Sequence, residues 1–580
     1  MSLHPRIATD AVGKIHLRKI GMHMTDTNQP ILSIRNLTVA LPMKIERANA
    51  VENLSFDVRP REILCVVGES GSGKSITSLA TMGLLSPSLK VTGGEILFDG
   101  RNVLDLDQNA HNALRGDRMV MIFQEPMTAL NPAYTVGHQI EEVFRVHRSL
   151  DASERRKRTL TLLEEVRLPD PERLFGSYPH ELSGGQRQRI MIAMALALDP
   201  KLLIADEPTT ALDVTTQAQI LRLLKQLNSK HDAGIMFITH DFSVVAEIAD
   251  RVVVMRQGQI VEQGTADQVL NHPQHPYTRS LIDAVPRPTE DAQIAASEKP
   301  VVIQVDNLQK TFQTSAGMFK KTRTVAAVRD VSFQVRRGET LGIVGESGSG
   351  KTTLVRCLMR LIDSDSGSIN ISGVDFTGKT ARELRKHRKD IQIVFQDPYG
   401  SLNPRRTIGS QLIQGAVNFG VSRKEAWRRV YELLEIVRMP KYSVHRYPSQ
   451  FSGGQRQRLC IARALVVNPK VLIADEAVSA LDVSIQREVL KLINDIRDRL
   501  GLTVIFITHD LRVAAQVCDE VLVMQHGAVV ERGTVGRIFN APQHEYTRAL
   551  IAAQPGQGWV IPEMAEFSPK VGPLATAVGQ

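Results

Sequence analysis

The chain has little that would tie it to an oxidising compartment or to the interior of a bilayer. Its 580 residues include four cysteines, Cys65, Cys357, Cys460 and Cys518, set far apart in apolar segments. That spacing argues against a disulfide framework and fits buried thiols in a reducing compartment. No stretch approaches the ~18 consecutive apolar residues of a membrane-spanning helix. Residues 1–28 are polar and mixed, without the apolar core of a secretory signal, and are read as a loose extension. Aromatic residues make up 5% of the chain and do not interleave with its basic clusters, Arg155 to Arg158 and Arg385 to Lys389. The net charge is +9 with a pI near 9.3, yet the stacking surface that single-stranded nucleic acid needs is missing, so no nucleic-acid partner is expected. The rest is ordinary globular composition, 42% hydrophobic and 23% charged, in a length that suits about two to four domains.

What the chain does contain, it contains twice. Gly68-Glu69-Ser70-Gly71-Ser72-Gly73-Lys74-Ser75 returns as Gly345-Glu346-Ser347-Gly348-Ser349-Gly350-Lys351-Thr352, 277 residues later. Two Phe-Gln-acid-Pro segments, at Gln124 and Gln396, lie 272 apart, and two SGGQRQR strings, from Ser183 and Ser452, lie 269 apart. Two ITHD strings, at His240 and His509, repeat the 269 spacing. The chain is therefore a tandem duplication. In copy one, apolar or alternating segments at Ile31 to Val39, Leu54 to Val58, Ile63 to Val67, Met119 to Phe123, Leu202 to Ala205 and Ile235 to Thr239 read as strands separated by helices. That alternation predicts an α/β domain with a largely parallel sheet in each copy. The expected division is 29–285, a proline-containing linker 286–300, a second domain 301–555, and a mobile tail 556–580.

The glycine-rich octads carry the first chemistry. Glycines let successive backbone N–H groups turn inward on a polyphosphate, the Lys74 or Lys351 ammonium meets the outer phosphates, and Ser75 or Thr352 offers a hydroxyl to Mg²⁺. Each octad follows an apolar run, and Leu354, Leu358, Leu361 and Ile362 recur on one helical face after the second. Asp206-Glu207 and Asp475-Glu476 close apolar runs at the same place in each copy. Neighbouring side chains at a strand end diverge, which suits Asp toward Mg²⁺ and Glu toward an attacking water. Ser183-Gly184-Gly185-Gln186 and Ser452-Gly453-Gly454-Gln455 precede helical runs, so free N–H groups and a positive helix end face an anion.

These strings together make the chain resemble the ABC-type ATPases over nearly all of Pro30 to Ala552. The resemblance implies two tandem P-loop nucleotide-binding domains, each with a mostly parallel sheet, an antiparallel β subdomain and a helical subdomain, packed head to tail as an intrachain pseudo-dimer. It implies ATP and Mg²⁺ as ligands, with Lys74 facing Ser452 at one site and Lys351 facing Ser183 at the other. Gln124 and Gln396 match the family's glutamine loop, which senses Mg²⁺ and water. Asp213 and Asp482 match the loop that crosses between domains, and His240 and His509 match the switch histidine. With Ser75, Thr352, Asp206 and Asp475, the two glutamines form the expected metal set; Glu207 and Glu476 with the two histidines form the expected catalytic set. Phe312 fits the aromatic that stacks on adenine, whereas Leu41 stands at the corresponding place in copy one, which predicts weaker ATP binding at the first site. Ala477 also departs from Pro208 after the Asp-Glu pair, but both glutamates survive and both sites are expected to hydrolyse ATP.

Residues beside these motifs narrow the resemblance. Phe123-Gln124-Glu125-Pro126-Met127, Phe395-Gln396-Asp397-Pro398, and the tails His275-Pro276-Tyr277-Thr278 and His544-Glu545-Tyr546-Thr547 resemble the ATP-binding subunits of oligopeptide, dipeptide and nickel importers, in their fused form. The implied partners are two transmembrane permease subunits and a periplasmic solute-binding protein, with the chain peripheral at the cytoplasmic face of the inner membrane. No cysteine follows Tyr277 or Tyr546 within the tails, so no iron-sulfur cluster is expected. A soluble tandem ATPase acting on ribosomes or DNA, and an exporter ATPase, remain as alternative readings. The solute itself is not legible.

Overall fold

A computed structural model describes residues 29–42, 47–124, 129–210, 212–230, 232–287, 299–314, 323–479 and 481–562. The N-terminal extension, most of the linker, the Glu125 to Met127 segment and the tail beyond 562 lie outside the described residues. Each copy builds two sheets. In the first half a six-stranded sheet runs in the order Gln259–Thr265, Arg251–Arg256, Ile63–Val67, Gly234–Thr239, Leu202–Asp206, Met119–Ile122. All its pairings are parallel except the outer hairpin of Arg251–Arg256 with Gln259–Thr265. A four-stranded antiparallel sheet is built around Leu32–Ala40, flanked by Asn49–Val58 and Lys90–Phe98. The second half repeats both sheets, with Thr340–Val344, Thr503–Thr508 and Val471–Asp475 at the centre of the six-stranded one.

Strand side chains alternate between faces, and here the two faces enter different cores. Ile63, Cys65 and Val67 join the helical core, while Leu64 and Val66 join the core beneath the antiparallel sheet. Burial on both faces makes these strands unbroken apolar runs, as a covered parallel sheet requires. A helical layer, Val136–His147, Ala152–Glu165 and Gly184–Leu196, packs into the first of these cores, with Ile408–Asn418, Arg423–Ile436 and Gly453–Leu465 as its counterpart.

Two sequence expectations change in detail. The helix after the second P-loop is Lys351–Leu358, so Leu361 and Ile362 lie beyond it. Arg360 at φ 50 turns the chain and leaves Leu361 50% exposed, ending the apolar face early. The tail expected to be mobile from 556 is packed as far as 562, and against the other half. The Gly556 N–H donates to Glu247, the Trp559 indole donates to Asn271, and Arg287 donates to the Pro562 carbonyl. Trp559 and Ile561 lie against the first half's core, so apolar burial accounts for an ordered segment in a stretch without periodicity.

Candidate nucleotide sites

Each P-loop connects a buried strand to a short helix, and glycine allows the connection. Gly73 and Gly350 sit at φ 104 and φ 107, where a side chain is strained. A Cβ on Gly350 would also lie 2.2 Å from the Ala327 carbonyl oxygen. The lysines that follow are buried, and each folds back on its own loop. Lys74 Nζ donates to the carbonyls of Gly68 (2.5 Å) and Glu69 (3.0 Å), and Lys351 Nζ to those of Gly345 (2.6 Å) and Glu346 (2.8 Å). Burial lowers the pKa of both ammonium groups, while nearby carboxylates, Glu207 and Glu476 first among them, act the other way.

The carboxylate pairs stand beside these loops. Ser75 Oγ donates to Asp206 (3.1 Å), joining two hard oxygen donors of the kind Mg²⁺ prefers. Burial pushes Asp206 up to about 6, and Asp475 upward as well. Glu207 behaves in the opposite way. Burial favours its neutral form, but the adjoining His240 imidazole, the Lys74 ammonium and the Thr210 hydroxyl together outweigh burial and hold the carboxyl down to about 2. His240 Nδ1 lies 3.2 Å from that carboxylate, and His509 Nδ1 lies 3.5 Å from Glu476. Gln124 Nε2 donates to Glu207 (3.1 Å) and Gln396 Nε2 to Glu476 (2.9 Å). Glutamine, glutamate and histidine, far apart in sequence, thus converge at each strand end because adjacent parallel strands present their carboxyl ends together.

The two glycine-containing signatures have a structural task of their own. Ser183 Oγ accepts the Gln186 N–H (3.3 Å) while Gln186 accepts the Ser183 N–H (3.0 Å), a reciprocal cap; Ser452 and Gln455 do the same. The second glycine permits close helix packing, since a Cβ on Gly185 would lie 2.5 Å from Thr216 and one on Gly454 2.4 Å from Ile485. Ser183 and Ser452 are exposed. Neither is in the wall of the cavity of about 610 Å³ that opens beside Lys351, which is lined by Ser347, Gly348, Thr352, Gln396, Glu476 and His509 and, from the other half, Asp213.

The crossing aspartates do reach the opposite half, and they differ. Asp482 accepts the Ser70 N–H (3.1 Å) and the Ser70 hydroxyl (3.2 Å) across the interface, leaving its own helix start without a side-chain cap. Asp213 faces the Lys351 cavity but caps its own helix, accepting from Thr216 N (2.9 Å) and Thr215 Oγ1 (2.8 Å). Phe312 pairs with Val325, a wall residue of that cavity, and the Lys310 ammonium lies 5.7 Å from its ring centre. Leu41 holds the same register in the first half, where its N–H donates to Ala48 (2.9 Å). Next to it, sequence reasoning missed Arg47, which donates to the Gly71 carbonyl (3.0 Å); its signal, a lone basic residue after an unpatterned loop, is weak.

A P-loop, a paired carboxylate, a histidine and a glutamine gathered at the carboxyl end of one sheet, present twice and faced by aspartates from the opposite half, define a tandem ATPase of the ABC class. The "ABC transporter" family model matches residues 51–210 and 328–479, and the "Oligopeptide/dipeptide transporter, C-terminal region" model matches residues 261–314 and 530–564. The chain belongs to the ABC transporter family, as an ATP-hydrolysing subunit carrying two such C-terminal regions. It is 48% identical over 538 residues to the "Peptidoglycan transport ATP-binding protein YejF" of Agrobacterium fabrum, covering 91% of this chain and 97% of that protein. It is 46% identical over 563 residues to the "Glutathione import ATP-binding protein GsiA" of Escherichia coli, covering 90% and 89%. Among solved structures, a dimeric bacterial ABC transporter cassette aligns with a TM-score of 0.37 and 32% identity, over 40% of this chain and 98% of that one.

Proposed function

We propose that the chain powers import of a peptide-like solute, working at the cytoplasmic face of the inner membrane with two permease subunits and a solute-binding protein. The observation that carries this reading is the pair of oligopeptide/dipeptide-type C-terminal regions, one after each ATPase domain. Relatives named for glutathione import and peptidoglycan transport support a peptide-like cargo. Among the described residues no helix is long and apolar enough to cross a membrane, so the path for the solute belongs to other chains.

In this reading each ATP lies between one P-loop and the opposite signature, Lys74 with Ser452 and Lys351 with Ser183. The exposed signature serines are then what closure buries, and ATP draws the halves together because it binds the closed arrangement better. Ser75, Asp206 and Gln124, and Thr352, Asp475 and Gln396, are the oxygen donors fitted to hold Mg²⁺, which when bound neutralises phosphate charge. Glu207 and Glu476 take the proton from the attacking water. Held down by His240, Lys74 and Thr210 in this arrangement, Glu207 is a poor proton acceptor. Gln124 and Gln396, bonded to those same glutamates, connect the base to the surface that faces the permease.

The test is capture of the full chain from its own membranes with identification of the chains bound to it. Two multi-span permeases and an associated solute-binding protein are expected, and the ligand preference of that binding protein identifies the cargo. Recovery of ribosomes or DNA without a membrane chain would overturn the import reading.

A further inference from the structure

The His275-Pro276-Tyr277-Thr278 and His544-Glu545-Tyr546-Thr547 tails have no part in the chemistry described so far, yet both are built to the same plan. In the first half, Glu262 accepts the N–H groups of Gln274 (2.7 Å) and His275 (3.1 Å), which fixes the turn. His275 Nδ1 then accepts the Tyr277 N–H (3.1 Å) and caps the helix Pro276–Asp283. Glu531, His544 and Tyr546 repeat every one of these bonds. The product in each case is a buried tyrosine whose hydroxyl points at the back of a P-loop. Tyr277 Oη accepts the Glu69 N–H (3.3 Å) and donates to the Glu69 carboxylate (3.1 Å), and Tyr546 Oη accepts the Glu346 N–H (3.0 Å). The carbonyls of these same glutamates receive the Lys74 and Lys351 ammonium groups.

The geometry points to Tyr277 and Tyr546 as positioning residues that hold the P-loop peptide on which the phosphate-binding lysine rests, each acting on its own nucleotide site. This rests on the reading of Lys74 and Lys351 as ATP ligands. The two tyrosines do not carry equal load. Glu69 is also held from the opposite half, where Ser484 Oγ donates to its carboxylate and Asp482 binds the adjoining Ser70. Arg487 further ties that opposite helix to Asp283 on the tyrosine's own helix (2.6 Å). The corresponding positions of the second site are Ala218 and Ala552, which cannot pair. Among the described residues Glu346 has no bond to the other half, so Tyr546 is its hydrogen-bond partner from outside the P-loop.

The experiment is titration of a fluorescent ATP analogue into the full chain with one site silenced, Lys74→Ala to report the second site and Lys351→Ala to report the first. Tyr546→Phe removes one hydrogen bond and orphans an N–H, and is expected to weaken the second site about tenfold while leaving the first unchanged. Tyr277→Phe is expected to weaken only the first site, about threefold, rising to about tenfold once Ser484→Ala is added. Loss at both sites alike from either tyrosine variant would mark a merely structural role and overturn the inference, as would no loss at either. Binding that persists in the Lys74→Ala, Lys351→Ala double variant would overturn the nucleotide assignment and the inference with it.

Discussion

The two P-loops have the same seven leading residues from Gly68 and from Gly345, yet their surroundings differ. The first is gripped from across the interface by Asp482 and Ser484, whereas the second opens on a cavity with Asp213 turned back on its own helix. The difference is written in chemistry as well as in conformation. Arg512 reaches over to Ser243 (2.7 Å) and to the Pro555 carbonyl (3.2 Å), and the position it occupies in the second half is held in the first half by Ser243 itself. A duplicated chain is free to specialise its halves, because each position is encoded twice. Inequivalent sites are the expected result.

The largest predicted effect tests whether the halves share a chemistry at all. Glu207→Gln combined with Glu476→Gln is expected to slow phosphate release by about 10²-fold or more and to accumulate the ATP-bound chain; undiminished hydrolysis would remove both glutamates as bases. Next is nucleobase stacking. Stacking on an aromatic is worth ~1 to 3 kcal/mol, so the first site, with Leu41, should bind an ATP analogue at least several-fold more weakly than the second. Phe312→Ala should bring the two together and Leu41→Phe should raise the first; equal affinities in the unaltered chain would refute the role given to Phe312. A smaller and one-sided effect is expected from the crossing aspartates. Asp482→Ala leaves the Ser70 N–H without its partner and should weaken the first site by about tenfold, while Asp213→Ala, which chiefly uncaps a helix, should cost about 1 kcal/mol of stability. Denaturant titration and analogue binding separate the two.

The smallest effect is on pH dependence. Asp206 sits at about 6 in the folded chain, above its unfolded value, so the native state takes up a proton as pH falls through that range. Its stabilising contribution is complete at low pH and is lost as pH rises through about 6. Asp206→Asn should therefore raise the unfolding midpoint of the nucleotide-free protein near pH 7.5, and the gain should shrink below pH 6. Asp475→Asn should act in the same direction. A pH-independent gain from Asp206→Asn would show that burial of its charge is not the cause.

Much of this was legible in the sequence because it rests on short-range requirements. A glycine at φ 104 before Lys74, an apolar strand entering the loop, and a serine-to-glutamine cap on the signature helix all act within a few residues. The duplication placed the same motifs twice, and six strands of the first copy were readable along the chain, whereas Lys90–Phe98, Arg251–Arg256 and Gln259–Thr265 were not. The stop after Leu358 was not visible, since the apolar spacing continues past the turn at Arg360. The packed segment 555–562 was not visible either, because Trp559 finds its partners nearly three hundred residues earlier, at Asn271.

The sequence by itself determined two α/β ATPase domains, their phosphate loops, their paired carboxylates and their likeness to importer subunits, because glycine freedom, strand burial and helix capping are local properties of residue type. Only the tertiary structure decided which half touches which. The grip of Asp482 on Ser70, the tyrosines behind each P-loop and the strap of 555–562 on the first half join residues hundreds of positions apart. The grip of Asp482 and the strap depend on how two finished domains dock, and the tyrosine contacts on how each domain folds back on itself; no periodicity along one chain encodes either.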